Sequence, residues 1–139
     1  MFPVYSTSVI TPPIERFVRI LGRAQVEPFI HHAGVYNCRK IYGSTTWSQH
    51  AWGNSVDLFP NPEDNYGEAC NRMAEAAVTQ ATKRTLANRG RKAELAEVID
   101  HQNMQMWTPS SGWRDYGGTH GPHVHVTGSP KRTGEPPCA

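Results

Sequence analysis

The run His120-Gly-Pro-His123-Val124-His125-Val126, near the end of the 139-residue chain, constrains the fold more than any other stretch. Its last four residues alternate imidazole and valine, and a period of two is the period of a β-strand. His123 and His125 therefore project to one face, about 7 Å apart at Cα for a rise of roughly 3.3 Å per residue. Val124 and Val126 then face the core. This spacing suits one imidazole as a metal ligand and the other beside the metal. A second stretch, Ser48-Gln-His50-Ala-Trp-Gly53-Asn-Ser55-Val-Asp57-Leu-Phe59, supplies a further His and an Asp. Gly53-Asn54 reads as a turn and Ser55–Phe59 as a strand, with Ser55 and Asp57 on one face and Val56 and Leu58 buried. His50, Asp57 and one of the pair His123 and His125 make three protein ligands with a fourth position open, the pattern of a catalytic zinc site. Imidazole and carboxylate at low ligand number suit Zn2+, the expected cofactor.

Length bounds the chain to one domain with a core of ordinary size. The formal charge of +2 comes without a dense Lys/Arg run. Nucleic acid is therefore not the expected partner, and only a weak attraction to an anionic surface such as a cell wall follows. Cys38, Cys70 and Cys138 form no CxxC and read as free thiols, with one bridge left open. The first residues lack the charged and apolar regions of a signal peptide. No apolar run approaches the roughly 20 residues of a membrane span. The expectation is a monomer made in the cytoplasm, acting on the wall after release by another factor or carried in a phage particle.

In chain order, Thr11-Pro12-Pro13 is a helix start. Ile14, Phe17, Val18 and Leu21 continue it at helical spacing. Residues 29–42 read as one or two strands with a turn near Gly34. His31 and His32 are adjacent there, so at most one faces any site. Arg39 is either a surface charge or a cation for substrate or intermediate. Asn61–Asp64 predicts a second helix start. Cys70, Met73, Ala74 and Ala77 follow on its apolar stripe, which makes Cys70 a buried thiol. Residues 92–97 read as a short helix; 97–100 and 104–107 read as strands. Residues 108–118 read as a loop in which Trp113 and Tyr116 either wall a substrate groove or plug the domain edge. The expected architecture is α+β, a small antiparallel sheet flanked by helices with zinc on the open face. Residues 1–127 form one domain, and 128–139 a Pro/Gly-rich flexible tail.

These residues also resemble a known family. Ser48-Gln-His50-Ala-Trp-Gly53-Asn-Ser-Val-Asp57 is similar to the SxHxxGxAxD motif of D-alanyl-D-alanine carboxypeptidase-type zinc peptidases. That family shares one zinc site with lysostaphin-like endopeptidases and the hedgehog signalling domain. Tyr36-Asn-Cys38-Arg39 with Gly43 resembles the lead-in of its extensin-like branch. The segment from Glu97 to Val126 looks like the end of phage and actinobacterial wall peptidases. The resemblance implies a hedgehog/DD-peptidase-like fold with His50, Asp57 and His125 as zinc ligands. It gives Ser48 a supporting hydrogen bond and makes Arg39 a cation for the substrate carboxylate or tetrahedral intermediate. The carboxypeptidase branch has its catalytic acid three residues before the last ligand, and that position is Pro122 here. His123-Val-His125 instead resembles the lysostaphin-like ending, which implies His123 as base or stabiliser with His120 as helper. The function expected is hydrolysis of peptidoglycan peptide bonds by a phage lysin. The alternatives are a non-catalytic zinc module for wall binding or phage structure, and a zinc hydrolase of another small amide.

Overall fold

The computed structural model describes residues 1–139. Helix α1 runs from Pro12 to Leu21, with Pro at its first positions, where the missing N–H goes unused. Ile14, Phe17, Val18 and Leu21 are buried along one stripe. Thr11 stands at the N-cap position, but its hydroxyl donates to Asn54 Oδ1 at 2.8 Å. That bond ties the start of the helix to the loop after His50. Helix α2 spans Tyr66–Thr82, capped by the Asn65 side chain, which accepts from the Glu68 N–H at 2.9 Å. The start expected at Asn61–Asp64 is instead a turn, closed by the Asp64 N–H on the Asn61 carbonyl at 3.1 Å. The preceding strand runs through Pro60, so these residues are needed to reverse the chain.

Seven strands follow the chain: β1 (Val4–Tyr5), β2 (Ile30–Gly34), β3 (Ser55–Pro60), β4 (Leu95–Asp100), β5 (Gln105–Thr108), β6 (Gly112–Asp115) and β7 (Val124–Gly128). They form one sheet in the order β1-β2-β3-β7-β4-β5-β6, antiparallel throughout except for the β1–β2 pair. The class is α+β as expected, with a larger and mixed sheet in place of a small antiparallel one. Two segments differ locally. Leu95 begins a strand rather than continuing a helix, because pairing with β7 buries it. Residues 112–115 form a hairpin with β5, enabled by Gly112 at φ +66°.

The last strand enters the middle of the sheet, between β3 and β4. Val124 and Val126 join Val56, Leu58, Val98 and the apolar stripes of both helices in one core. Full burial of each such side chain contributes about 1.5–3 kcal/mol. Alternation then sends Asp57, His123 and His125 to the opposite face, away from the helices.

The tail departs from expectation. Cys138 is bonded to Cys38, and only Cys70 is a free, buried thiol. The Ser129 N–H donates to the Glu94 carbonyl at 2.9 Å, and the Lys131 ammonium lies 2.8 Å from a Glu97 oxygen. Gln49 brackets the main chain of Arg132, donating to its carbonyl at 2.9 Å and accepting from its N–H at 2.8 Å. Residues 128–139 are therefore fastened beside the loop that carries His50.

Candidate metal centre

Each ligand of the site is aimed by a different device. The 3-10 turn Gln49–Trp52 begins at Ser48, whose hydroxyl accepts from the His50 N–H at 3.3 Å. It ends at Gly53 in a left-handed conformation, φ +66°. Ser48 thus acts on the main chain of His50, while the imidazole is aimed by Val35, whose carbonyl lies 2.5 Å from Nδ1. Asp57 and His125 are direct cross-strand partners in the β3–β7 pair.

The inward atoms converge. His50 Nε2 lies 3.2 Å from Asp57 Oδ2 and 3.2 Å from His125 Nδ1. His125 Nδ1 lies 3.1 Å from Asp57 Oδ1. Ligands at roughly 2.0–2.1 Å from a tetrahedral centre stand about 3.3 Å apart. The two imidazole nitrogens match that spacing, each meets a different oxygen of Asp57, and one donor atom from each residue lies within 4.8 Å of the others. The outer partners set the tautomers. His50 Nδ1–H donates to Val35, leaving Nε2 with its lone pair. His125 Nε2–H donates to Thr127 Oγ1 at 2.9 Å, leaving Nδ1 free. Thr127 in turn donates to Glu97 Oε1 at 3.3 Å and accepts from Ser55 Oγ at 2.8 Å. A carboxylate held behind a ligating imidazole is the usual way a metal ligand is oriented. Two lone pairs and a carboxylate meeting at one point call for a cation, and the three residues could hold one metal ion. His50 is buried, but the Asp57 and His125 side chains are 20% and 15% exposed, so the remaining side reaches solvent.

Electrostatics agree. Burial pulls the His50 imidazole down, but the Asp57 carboxylate and the Val35 carbonyl overcome it and leave its pKa raised. Burial pushes Asp57 up, and the hydrogen bonds and charges of His125 and His50 reverse this, holding it well below the usual carboxylate range.

Around this centre, some expected residues arrive and others do not. His123 is half-buried, stacked on His101 at 4.2 Å between ring centroids and on Phe59 at 5.6 Å. Desolvation, outweighing Asp57 and assisted by the neighbouring imidazoles, lowers its pKa to about 4. It is a neutral base at pH 7. Arg39 is exposed, yet its charge is felt at His50, which places it near the site. His120 is exposed, with Nε2 donating to the Gln102 carbonyl at 3.1 Å. The imidazole stacked on His123 is that of His101. Burial lowers the His101 pKa, although its Nδ1–H bond to the Thr119 carbonyl opposes this.

Tyr116 stands edge-on to His101 at 5.2 Å, on the metal face. Trp113 does not. It pairs with Trp107, which pairs with Val98, so the register places it on the helix-covered face. The wall on the metal face is instead a row of rings across the sheet: His123, then Phe59, then His32 stacked on Phe59 at 4.5 Å, then Tyr5 at 5.8 Å from His32. Strand alternation from Asp57 already points to Phe59. His101, Glu97 and Thr127 carry no such signal, because their roles depend on β4 lying beside β7.

The fold and site define an α+β domain with a three-donor centre able to take a metal ion on the open face of its sheet. No family model, curated protein or solved structure matches the chain. Its class therefore rests on this geometry.

Proposed function

We propose that the chain is a zinc peptidase that hydrolyses peptide bonds of bacterial peptidoglycan, a wall lysin of phage type with a hedgehog/DD-peptidase-like arrangement. The reading is carried by one observation: His50 Nε2, Asp57 and His125 Nδ1 point at one solvent-reaching position, with the neutral imidazole of His123 alongside. Zinc held by these three residues would supply Lewis acidity to a carbonyl and to water.

The chain's own residues do the rest. His123 accepts a proton from the attacking water and returns it to the leaving amine, the work of a general base and then acid. His101, stacked on it at 4.2 Å between centroids, fixes the orientation of the ring. Arg39 offers a guanidinium to the substrate carboxylate or to the oxyanion. Tyr116 on one side, and Phe59, His32 and Tyr5 on the other, border the path of an extended peptide.

The test is mass spectrometry of fragments released from purified peptidoglycan, with and without chelator. Metal-dependent release of peptide fragments, abolished in His123→Ala with metal retained, supports the peptidase. Pro122 in place of the usual acid favours one competitor, a non-catalytic zinc module for wall binding or phage structure. Wall binding without new amino groups would establish that module instead.

A further inference from the structure

The positive charge of the chain is concentrated away from the metal face. Eight of its fourteen Lys and Arg residues lie in two segments, 16–23 and 83–92, and the second holds five cations and no acid. Folding brings the two together. Arg16 and Arg19 on α1, Arg23 just beyond it, and Arg89 and Arg91 on the loop after α2 line one cleft of about 390 Å³. Arg16 and Arg19 have exposed carboxylate partners, Glu94 at 2.8 Å and Glu15 at 2.7 Å. Exposed pairs of this kind contribute little and yield readily to a competing anion. Arg23, Arg89 and Arg91 have no carboxylate partner.

The loop that presents two of these arginines is held firmly from beneath. Buried Asn88 accepts from the Thr85 N–H at 3.0 Å and donates to Gln80 Oε1 at 3.3 Å, and the Thr85 hydroxyl donates to the same oxygen at 3.1 Å. Gln80 is itself buried on α2. Arg89 sits at φ +56°, a left-handed conformation that a non-glycine residue adopts only at a cost. A strained residue held by a satisfied buried network is a preorganised one. Five guanidinium forks around one concavity match phosphate oxygens, which they bind in pairs. The apolar lining is only Ile20 and Ala87, with no aromatic ring on which a nucleobase could stack.

We propose that this cleft is a second binding site, for the phosphate groups of a base-free polyol-phosphate polymer of the cell wall. The choice of polymer rests on the wall-peptidase reading; the anion chemistry does not. The site would hold the domain on the wall from its helix side and leave the metal face toward the peptide.

The experiment measures binding of the full chain to poly(glycerol phosphate), to oligothymidylate of equal charge, and to inorganic phosphate. We expect poly(glycerol phosphate) to bind best and to weaken at least tenfold between 50 and 200 mM salt. We expect a further loss of at least tenfold in the triple variant Arg23→Gln/Arg89→Gln/Arg91→Gln, with thermal midpoint and metal content unchanged. Arg72→Gln/Arg114→Gln/Arg132→Gln, which removes the same three charges elsewhere, should lose less than threefold. Equal loss in both variants would reduce the effect to net charge and overturn the site. Oligothymidylate binding as tightly as the polymer would make nucleic acid the partner, and inorganic phosphate saturating the cleft with equal affinity would remove the polymer. If the triple variant does not fold, the single Arg91→Gln change carries the same comparison. Peptide release is read separately on peptidoglycan stripped of phosphate polymer. Its absence sinks the peptidase reading alone, and loss of polymer binding with release intact sinks the cleft alone.

Discussion

His125 Nδ1 lies 3.1 Å from Asp57 Oδ1 because the two residues oppose each other across the β3–β7 pair. Directly opposed side chains start about 4.5–5.5 Å apart at Cβ, so two ligands are set by the sheet itself and only His50 comes from a loop. The centre should therefore be preformed. Asp57→Ala should take bound zinc from one ion per chain to none, measured by elemental analysis after dialysis. In the wild type, zinc at 100 times its Kd should stabilise the fold by about 2.7 kcal/mol, and the variant should show no such rise. An Asp57→Ala protein that keeps one tight ion would place the metal elsewhere.

Protons and metal compete for the same atoms, and the sign follows from the shifts. The His50 pKa is raised, so the stability that its proton contributes to the metal-free protein is present below the unfolded value near 6.5 and fades as pH rises through the raised value. Asp57 is depressed, so its contribution is present above the unfolded value and is lost only well into acid. With chelator present, the thermal midpoint should fall from pH 6 to pH 8; with zinc in excess it should rise over the same interval, because metal binding releases the His50 proton. Parallel curves with and without zinc would remove His50 from the centre.

The parts of this site legible in the sequence are those that alternation alone determines. Asp57 and His125 are assigned to a polar face by the valines and leucine beside them, whatever their strands pair with. Phe59 follows from the same rule. What alternation does not supply is which strand lies next to which. His101 reaches His123 only because β4 pairs with β7, where the His101 N–H donates to the His123 carbonyl at 3.1 Å. Composition leaves Trp113 either on a groove or at the domain edge, and hairpin register decides between them by sending it to the helix-covered face. The Cys38–Cys138 bond is equally silent, since spacing does not specify connectivity. The arginine cleft joins segments some seventy residues apart, so each looks like ordinary surface charge on its own.

His123 offers a kinetic test. With a pKa of about 4, it remains unprotonated from pH 7 down to pH 5. Activity lost across that range should come from protons displacing metal at His50, and added zinc should restore it. His123→Ala should lower kcat by 10²–10⁴-fold at unchanged metal content. His101→Ala should cost less than His123→Ala, and His120→Ala should leave the rate within twofold of wild type. A larger loss from His120 than from His101 would reverse the assignment.

The disulfide encloses a separation of 100 residues, for which loop entropy gives a stabilisation of about 4–5 kcal/mol. Cys38 also adjoins Arg39, and the tail behind Cys138 adjoins Gln49. Cys138→Ser should therefore lower the thermal midpoint by about 10–20 °C and raise KM more than it lowers kcat. Cys70 gives a control in the same protein, because burial and the Asp100 carboxylate push its thiol up to about 12. Thiol titration of the untreated native chain should find no reactive group, and denaturation without reductant should reveal one. Two further reactive thiols in the native chain would show the bond to be absent.

Gly53 closes the turn that carries His50, and it has no room for a side chain. At φ +66°, a Cβ there would lie 2.0 Å from the Val9 carbonyl oxygen, which is backbone and cannot step aside. The same residue accepts from the Thr11 N–H at 3.0 Å, so the turn and the start of α1 are joined through it. Gly53→Ala must break that junction, and the imidazole of His50 moves with it while Asp57 and His125 stay on their strands. The expected outcome is at least a tenfold loss of zinc affinity, together with a loss of stability above 2 kcal/mol by urea unfolding. A variant destabilised to that extent but with wild-type zinc affinity would mean that the sheet alone, without the turn, holds the metal.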